Sequence, residues 1–469
     1  MMLDKKEFIE KATLIYHSGY NRNFNAFVKI LRWSRFPILR RNGFFMAVLQ
    51  SNMLKSLAGF QEELRSAQKK LKEAKGDESK KKAKRSVLVQ RQWIRILQTI
   101  ADGIAWRAYR FNRPLLRVMS ENSAPGDLKQ EGYDYIGLLR KLLIAAPRFS
   151  LRIANDLTRV LRIADITLFY STGEVMLYEV KEKGGKIINT ASILGEMKKH
   201  RVWPNPQKLR QLVAQMAIIN QKIDVPVVEK GKVIKRVEVD VVNLDFKVAH
   251  HFRALRRMIR KADRNTFAAE TVEEGYYIEV TDGGRLQESE LDRLKKEKSS
   301  VPMWTKRSDE SVLKVSNFDS FIDAGTEFPR NILPYSVLPL SAKNCVKIMM
   351  GHLQVFISVD TSVLRRKLVD RGWRVADRRP WEEMAKETTR VNMFDQKADS
   401  TFFDIEKDDE GGTYKGAVLL DDILMMATSF YGFDFVLDSA DAMFEAAKAD
   451  KKKKRFVTRN YIGERRVLI

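Results

Sequence analysis

The stretch Ala164–Lys181 limits what this chain can build more than any other. Two β-rich runs, Asp165–Tyr170 and Glu174–Lys181, flank Ser171-Thr172-Gly173. A three-residue hairpin loop with glycine in the left-handed position suits that tripeptide. Under such a loop Tyr170 pairs with Glu174, and counting back sets Asp165 opposite Glu179. Directly opposed residues lie about 5 Å apart and share a face. Lys181 is two residues on and shares the face of Glu179. Two carboxylates and one lysine are therefore expected at the open end of the hairpin. A two-residue loop would instead put Asp165 on the other face. Leu168, Phe169, Val175, Leu177 and Val180 make both faces largely apolar, so the strands are expected to be buried. Buried charges need partners or a metal.

The chemistry follows from the groups. Two carboxylates held together are unfavourable unless a cation lies between them. Oxygen donors suit Mg²⁺ or Mn²⁺, with water and phosphate completing the shell. Such an ion stabilises charge on a phosphoryl oxygen and activates a water. A neighbouring lysine can orient that water and neutralise developing charge. Acid-x-Lys alone is a weak signal, since Glu73-Lys75, Glu78-Lys80, Glu196-Lys198, Asp245-Lys247 and Asp395-Lys397 also fit it. Context separates the Glu179 copy, with its upstream aspartate and hairpin. The bland alternative is a surface hairpin carrying a salt-bridged pair. Asp240 with Asp245 and Lys247 is a weaker rival, because its two carboxylates point oppositely along one strand.

Asp165 followed by Glu179-Val180-Lys181 resembles the PD-(D/E)XK nuclease superfamily, the restriction-endonuclease-like fold. The resemblance covers about residues 133–250. It implies that Asp165 and Glu179 bind a divalent metal, Mg²⁺ or Mn²⁺, that the Val180 carbonyl adds a ligand, and that Lys181 serves the attacking water. The family's usual proline before the aspartate is Ala164 here. Many members follow the lysine strand with a helix bearing a glutamine. Pro206–Asn220 reads as that helix, with Gln207, Gln211 and Gln215 four apart on one face, Gln211 favoured, and Lys208 and Arg210 placed to hold phosphate. A helix at 134–146, strands to 181, the helix at 206–220 and a strand at 237–248 would give the α-β-β-β-α-β core. The function implied is a metal-dependent deoxyribonuclease in a bacterial anti-phage or mobile-element setting, helped by a partner protein supplying a motor or activation. The alternative is a non-catalytic nucleic-acid-binding or scaffold subunit on a degenerate nuclease fold.

Charge points the same way. The chain has 469 residues, with 85 Lys and Arg against 60 Asp and Glu and a net charge of +25. An excess of that size argues for a polyanionic partner, DNA being the usual one. It is uneven, with 30 Lys and Arg against 13 Asp and Glu in residues 1–150. Single Cys345 permits no intrachain disulfide and no cysteine-paired zinc finger, and a reducing, cytoplasmic setting fits. No run of about 18 apolar residues is present to span a membrane.

The expected architecture is α/β. Residues 1–130 form a basic, mainly helical domain, 131–265 the nuclease-like core, 266–445 a mixed α+β domain of unknown role, and 446–469 a basic tail. Within the first domain Lys80–Arg85 reads as a solvated turn whose Lys81, Lys82, Lys84 and Arg85 could touch phosphates. The stripe containing Trp93, Leu97, Ile100, Ile104 and Trp106 reads as core rather than a base-stacking platform. Farther on, Tyr276–Thr281 and Val346–Val359 read as strands, Thr361–Asp370 as a helix and Asp404–Gly412 as an acidic loop. His250-His251 lacks the spacing of a zinc site. No phosphate-binding G-x-x-x-x-G-K-[ST] loop occurs.

Overall fold

The computed structural model describes residues 20–35, 43–109, 116, 137, 139, 140, 143, 151–161, 165–169, 175–179, 188–189, 222–229, 232–244, 250–282, 312–316, 334–377, 401–409, 412–449 and 456–461. It is a mixed α/β chain that divides into two compact units. One comprises Phe24–Leu244 with Lys454–Arg465 and Ile469. The other comprises Met1–Asn23, Asp245–Lys453 and Arg466–Leu468.

In the first unit, α1 (Tyr20–Ser34) precedes two long helices, α2 (Gly43–Glu73) and α3 (Asp77–Ala108). Gly76, at φ 87, makes the tight turn that lets α3 return along α2. The aromatic stripe is core: Trp93 is 3% exposed, and Leu97, Ile100 and Trp106 are fully buried. Phe27 of α1 packs against Trp93 with ring centroids 5.6 Å apart and the rings tilted by 34°. Lys80–Arg85 is helical, forming the first turns of α3, and the turn is confined to the residues just before Asp77. Alanine and lysine are good helix formers, and this overrides the reading of a lysine-rich turn.

Strands β1 (Leu151–Ala154), β2 (Ile166–Phe169), β3 (Val175–Glu179) and β4 (Ile188–Asn189) form a sheet in that order, every pair antiparallel. α2 and α3 pack against β1 and the short turn after it. Of the helix expected at 134–146, Gly137, Leu139, Arg140 and Leu143 are helical, and both leucines are fully buried. The helix expected at 206–220 lies outside the described residues.

The strand expected at 237–248 to complete the core is β6 (Lys232–Leu244). It pairs antiparallel with β5 (Lys222–Glu229) and parallel with the later strand at Phe456–Tyr461, in a sheet separate from β1–β4. Only residues 230 and 231 separate β5 from β6. A local hairpin therefore captures this strand, since short connections close with little loss of chain entropy.

In the second unit, α4 (Phe252–Asn265) covers β7 (Phe267–Glu273) and β8 (Tyr276–Asp282). The sheet runs β7-β8-β10-β9, with β9 at Val312–Ser316 and β10 at Leu353–Asp360. Ala342–Met349 is helix α5, so the strand expected at Val346–Val359 begins only at Leu353. The Ser341 hydroxyl accepts the Asn344 N–H at 3.1 Å and fixes the helix start, which outweighs the β-propensity of Val346 and Ile348. α6 (Thr361–Asp370) lies where expected, capped by Asp360, whose carboxylate accepts the Ser362 N–H at 3.0 Å.

A last sheet contains β11 (Arg374–Asp377), β12 (Thr401–Asp409) and β13 (Gly412–Leu419). The acidic stretch Asp404–Asp409 is thus a strand, not a loop. Opposite charge explains it: Arg374 bridges Asp408 and Glu406, and Lys415 bridges Glu406 at 2.9 Å. α7 (Leu420–Thr428) and α8 (Asp434–Ala449) follow. The terminal stretch is not wholly a tail, because α8 runs to Ala449 and Phe456–Tyr461 is strand β14.

Candidate functional site

The β2–β3 hairpin pairs Ile166 with Tyr178, Thr167 with Leu177, Leu168 with Met176 and Phe169 with Val175. One step beyond Ile166 and Tyr178, the same count brings Asp165 opposite Glu179. The three-residue-loop count requires this register, and the two-residue alternative does not produce it. Glu179 ends β3 and faces Ile188 of β4 on its other side. Ile166, Thr167 and Leu168 are all buried, so β2 is covered on both faces.

Asp165 is half-buried in the bend before β2, held by a scaffold of buried polar side chains. Asn155 is the hub. Its N–H donates to the Asp165 carbonyl at 2.8 Å, and its Oδ1 accepts the Thr167 hydroxyl at 2.9 Å. Its carbonyl accepts the Thr158 N–H and hydroxyl at 2.8 and 2.9 Å. Asn155 therefore ties the end of β1 to the start of β2.

The helices reach the same segment. Gln50 of α2 clamps β1: its Nε2 donates to the Arg152 carbonyl at 2.6 Å, and its Oε1 accepts the Ala154 N–H at 2.8 Å. Asp102 of α3, 1% exposed, holds the turn that follows. Its Oδ1 accepts the Arg159 and Val160 N–H groups at 2.6 and 3.3 Å. Its Oδ2 accepts Arg159 Nε at 2.8 Å and lies 2.7 Å from Nη2. Tyr109, just past the end of α3, packs edge-on against Phe169 at 4.8 Å. Burial pushes the Tyr109 phenol well above its ordinary range, with Thr167 pulling the other way. Asn155, Gln50, Asp102 and Arg159 are absent from the residues singled out in the sequence. The only sequence signal of Gln50 and Asp102 is a polar residue within an apolar helix face, as at Asp102 between Ala101 and Ile104.

The other candidates separate. Val180, Lys181, Lys208, Arg210 and Gln211 lie outside the described residues. Lys81, Lys82, Lys84 and Arg85 sit on the first turns of α3, whereas Asp102 touches the scaffold near its other end. Eighteen residues of helix between Lys84 and Asp102 span roughly 27 Å at 1.5 Å per residue. The helix thus sets these lysines apart from the carboxylate scaffold. Hard oxygen donors at Asp165 and Glu179, with a backbone carbonyl after Glu179, are the donor types that Mg²⁺ and Mn²⁺ take. Among the described residues no group of three or more His, Cys, Asp or Glu side chains is placed to hold an ion.

Two clusters in the second unit have structural roles. His251 precedes α4 and its side chain turns away from the helix end, with Nε2 3.3 Å from Glu273 Oε1, and the same oxygen accepts the Phe433 N–H at 2.9 Å. Burial pushes Glu273 up, but His251 and the Phe433 amide outweigh it and hold the carboxyl below its ordinary range. The acidic face of α8 is matched by cations. Arg371 reaches Asp434, Asp438 and Asp441 at 3.1, 2.6 and 2.9 Å, and Lys407 reaches Asp441 at 3.1 Å. Trp373 Nε1 donates to Asp441 at 3.0 Å.

No helix among the described residues is long and apolar enough to cross a membrane. The chain matches no family model, no curated protein and no solved structure.

Proposed function

We propose that the chain is a Mg²⁺- or Mn²⁺-dependent deoxyribonuclease of the PD-(D/E)XK type. The observation that carries this reading is the β2–β3 register, which continues to Asp165 opposite Glu179. The reading leans on that register rather than on a complete family core, since β6 belongs to another sheet.

In this reading Asp165, Glu179 and the Val180 carbonyl hold the ion. When bound there, it supplies charge stabilisation at a phosphoryl oxygen and an acidified water. The chain's own groups do the rest. The Asn155 N–H holds the Asp165 carbonyl, which fixes the backbone from which the carboxylate projects. Lys181 orients the attacking water and offsets negative charge at a non-bridging oxygen. Gln211 hydrogen-bonds at the site, and Lys208 and Arg210 hold a neighbouring phosphate. The net charge of +25 favours a polyanion such as DNA. A nuclease without its own motor endangers the host genome. A cytoplasmic anti-phage or mobile-element setting, controlled by a partner protein or by DNA modification, follows from the habits of the family.

The test is cleavage of supercoiled plasmid by purified protein with Mg²⁺, Mn²⁺ or EDTA. Nicked and linear products are expected with metal alone. Asp165→Asn, Glu179→Gln and Lys181→Ala should each slow cleavage by about 100-fold or more. Failure to cut circular, linear and single-stranded DNA with either metal would overturn the reading and leave the non-catalytic binding subunit. Cleavage that survives Glu179→Gln and Lys181→Ala would show that the site lies elsewhere.

A further inference from the structure

We propose that the distal half of the α2–α3 pair is an arm that grips the phosphate backbone of duplex DNA independently of sequence. This deepens the nuclease reading, on which it rests for the choice of DNA among polyanions.

The arm follows from the burial pattern. α2 and α3 have 31 and 32 residues. The buried positions of α2 end at Leu57 apart from Ala67, and those of α3 begin at Val87. Beyond those points α2 continues for roughly 24 Å and α3 for roughly 15 Å at 1.5 Å per residue. Leu64, Ala67 and Leu71 on α2, and Ala83 and Val87 on α3, are buried or half-buried at helical spacing. Most of the other side chains face solvent.

That exposed surface is strongly basic. Residues 65–85 contain ten Lys and Arg against three Asp and Glu. Every lysine between 69 and 84 is exposed. Lys69 makes only a loose 3.9 Å pair with Glu73, in which both side chains are mostly exposed. Among the described residues, Lys80, Lys81, Lys82 and Lys84 make no ion pair. Lys80–Lys82 also occupy the first turns of α3, where the helix dipole adds to their positive charge. Intrachain stability gains nothing from them there, whereas an approaching anion would.

The chemistry of the arm selects the partner. The large apolar side chains that are exposed among the described residues are Trp33, Phe44, Phe45 and Val369, none of them on the arm. A lipid surface would need an apolar face beside the lysines. Duplex DNA carries one phosphate charge per about 1.7 Å of its axis, which matches closely spaced lysine point charges along a rod.

The experiment is fluorescence anisotropy of a labelled 30-base-pair duplex with the full chain in EDTA, from 50 to 200 mM KCl. K80Q/K81Q/K82Q/K84Q should reduce the magnitude of the slope of log affinity against log salt by about 3.6, since each lost phosphate contact removes about 0.9. Its affinity at 100 mM KCl should fall by at least tenfold. The charge-matched control K451Q/K452Q/K453Q/K454Q should shift the slope by less than about 1. Circular dichroism checks the fold, and K70Q/K72Q/K75Q replaces the first variant if it misfolds. An unchanged slope, an equal loss in the control, or tighter binding to phosphatidylserine vesicles than to DNA would overturn the arm. Grip unchanged in the lysine variant, with cleavage by the parent, refutes the arm alone. Grip lost in the lysine variant, with no cleavage by the parent, refutes the nuclease reading alone.

Discussion

Replacing Asp102 with alanine tests whether the helical layer holds the segment that leads to Asp165. Asp102 is 1% exposed and accepts two backbone N–H groups and the Arg159 guanidinium. Its side chain and that of Arg159 are 2% and 13% exposed, so water cannot replace what is lost. Removing one partner of a buried ion pair costs about 3–5 kcal/mol, and the contact of Arg159 Nη2 with the Thr99 hydroxyl at 3.1 Å keeps the loss toward the lower end. The orphaned Arg159 and Val160 amides add to the penalty, at about 1–3 kcal/mol for a buried unsatisfied donor. These terms overlap, and about 4 kcal/mol is the expected total. In a unit of this size that lowers Tm by roughly 8–16 °C. Asp102→Asn keeps an oxygen for both amides and should lose about half as much. The assay is urea denaturation of the full chain, followed by the intrinsic tryptophans. Together with Arg159→Met, a double-mutant cycle should give a coupling energy of about 2 kcal/mol or more. A loss below about 1 kcal/mol for Asp102→Ala, or no coupling, would refute the claim that this pair anchors the turn carrying Asn155.

Two further perturbations probe the second unit. Burial, with Lys347 adding to it, lowers the His352 pKa from 6.5 to about 4. The unfolded chain therefore takes up a proton below pH 6.5 that the fold refuses until about pH 4. Stability should fall across that window by on the order of 3 kcal/mol, and His352→Gln should flatten the decline in urea titrations at pH 7 and pH 4.5. Gly275, at φ 77, sits in the β7–β8 turn with its missing Cβ only 2.8 Å from Val363 Cβ and Cγ2. Gly275→Ala should cost about 2–3 kcal/mol from left-handed strain plus the clash, read as a lowered urea midpoint. An unchanged midpoint would show that α6 moves aside easily.

The hairpin register was legible because a side-chain period of two leaves few alternatives once the loop length is set. Gly173 indicated that length. Thr361–Asp370 was legible because Asp360 and Ser362 give a local cap signal. What was missed depended on partners distant in sequence. Asp404–Asp409 contains too much like charge to read as a strand, and becomes one because Arg374 and Lys415 lie opposite it. The run at Val346–Met350 has β-branched residues, but Ser341 caps it as a helix. The scaffold beneath Asp165 was not legible at all. Gln50 and Asp102 meet their partners 104 and 57 residues away, and a solitary polar residue on a helix does not reveal what it will bond.

The central claim is that Asp165 and Glu179 act together as the metal-holding pair. Titration of Mn²⁺ into the full chain with a short DNA duplex, read by the loss of free-ion electron paramagnetic resonance signal, tests it directly. Asp165→Asn and Glu179→Gln should each weaken Mn²⁺ binding by about tenfold or more, with the double substitution adding little beyond the worse single one. Binding unchanged in both single variants, or losses that simply add, would contradict a shared site at the open end of the hairpin.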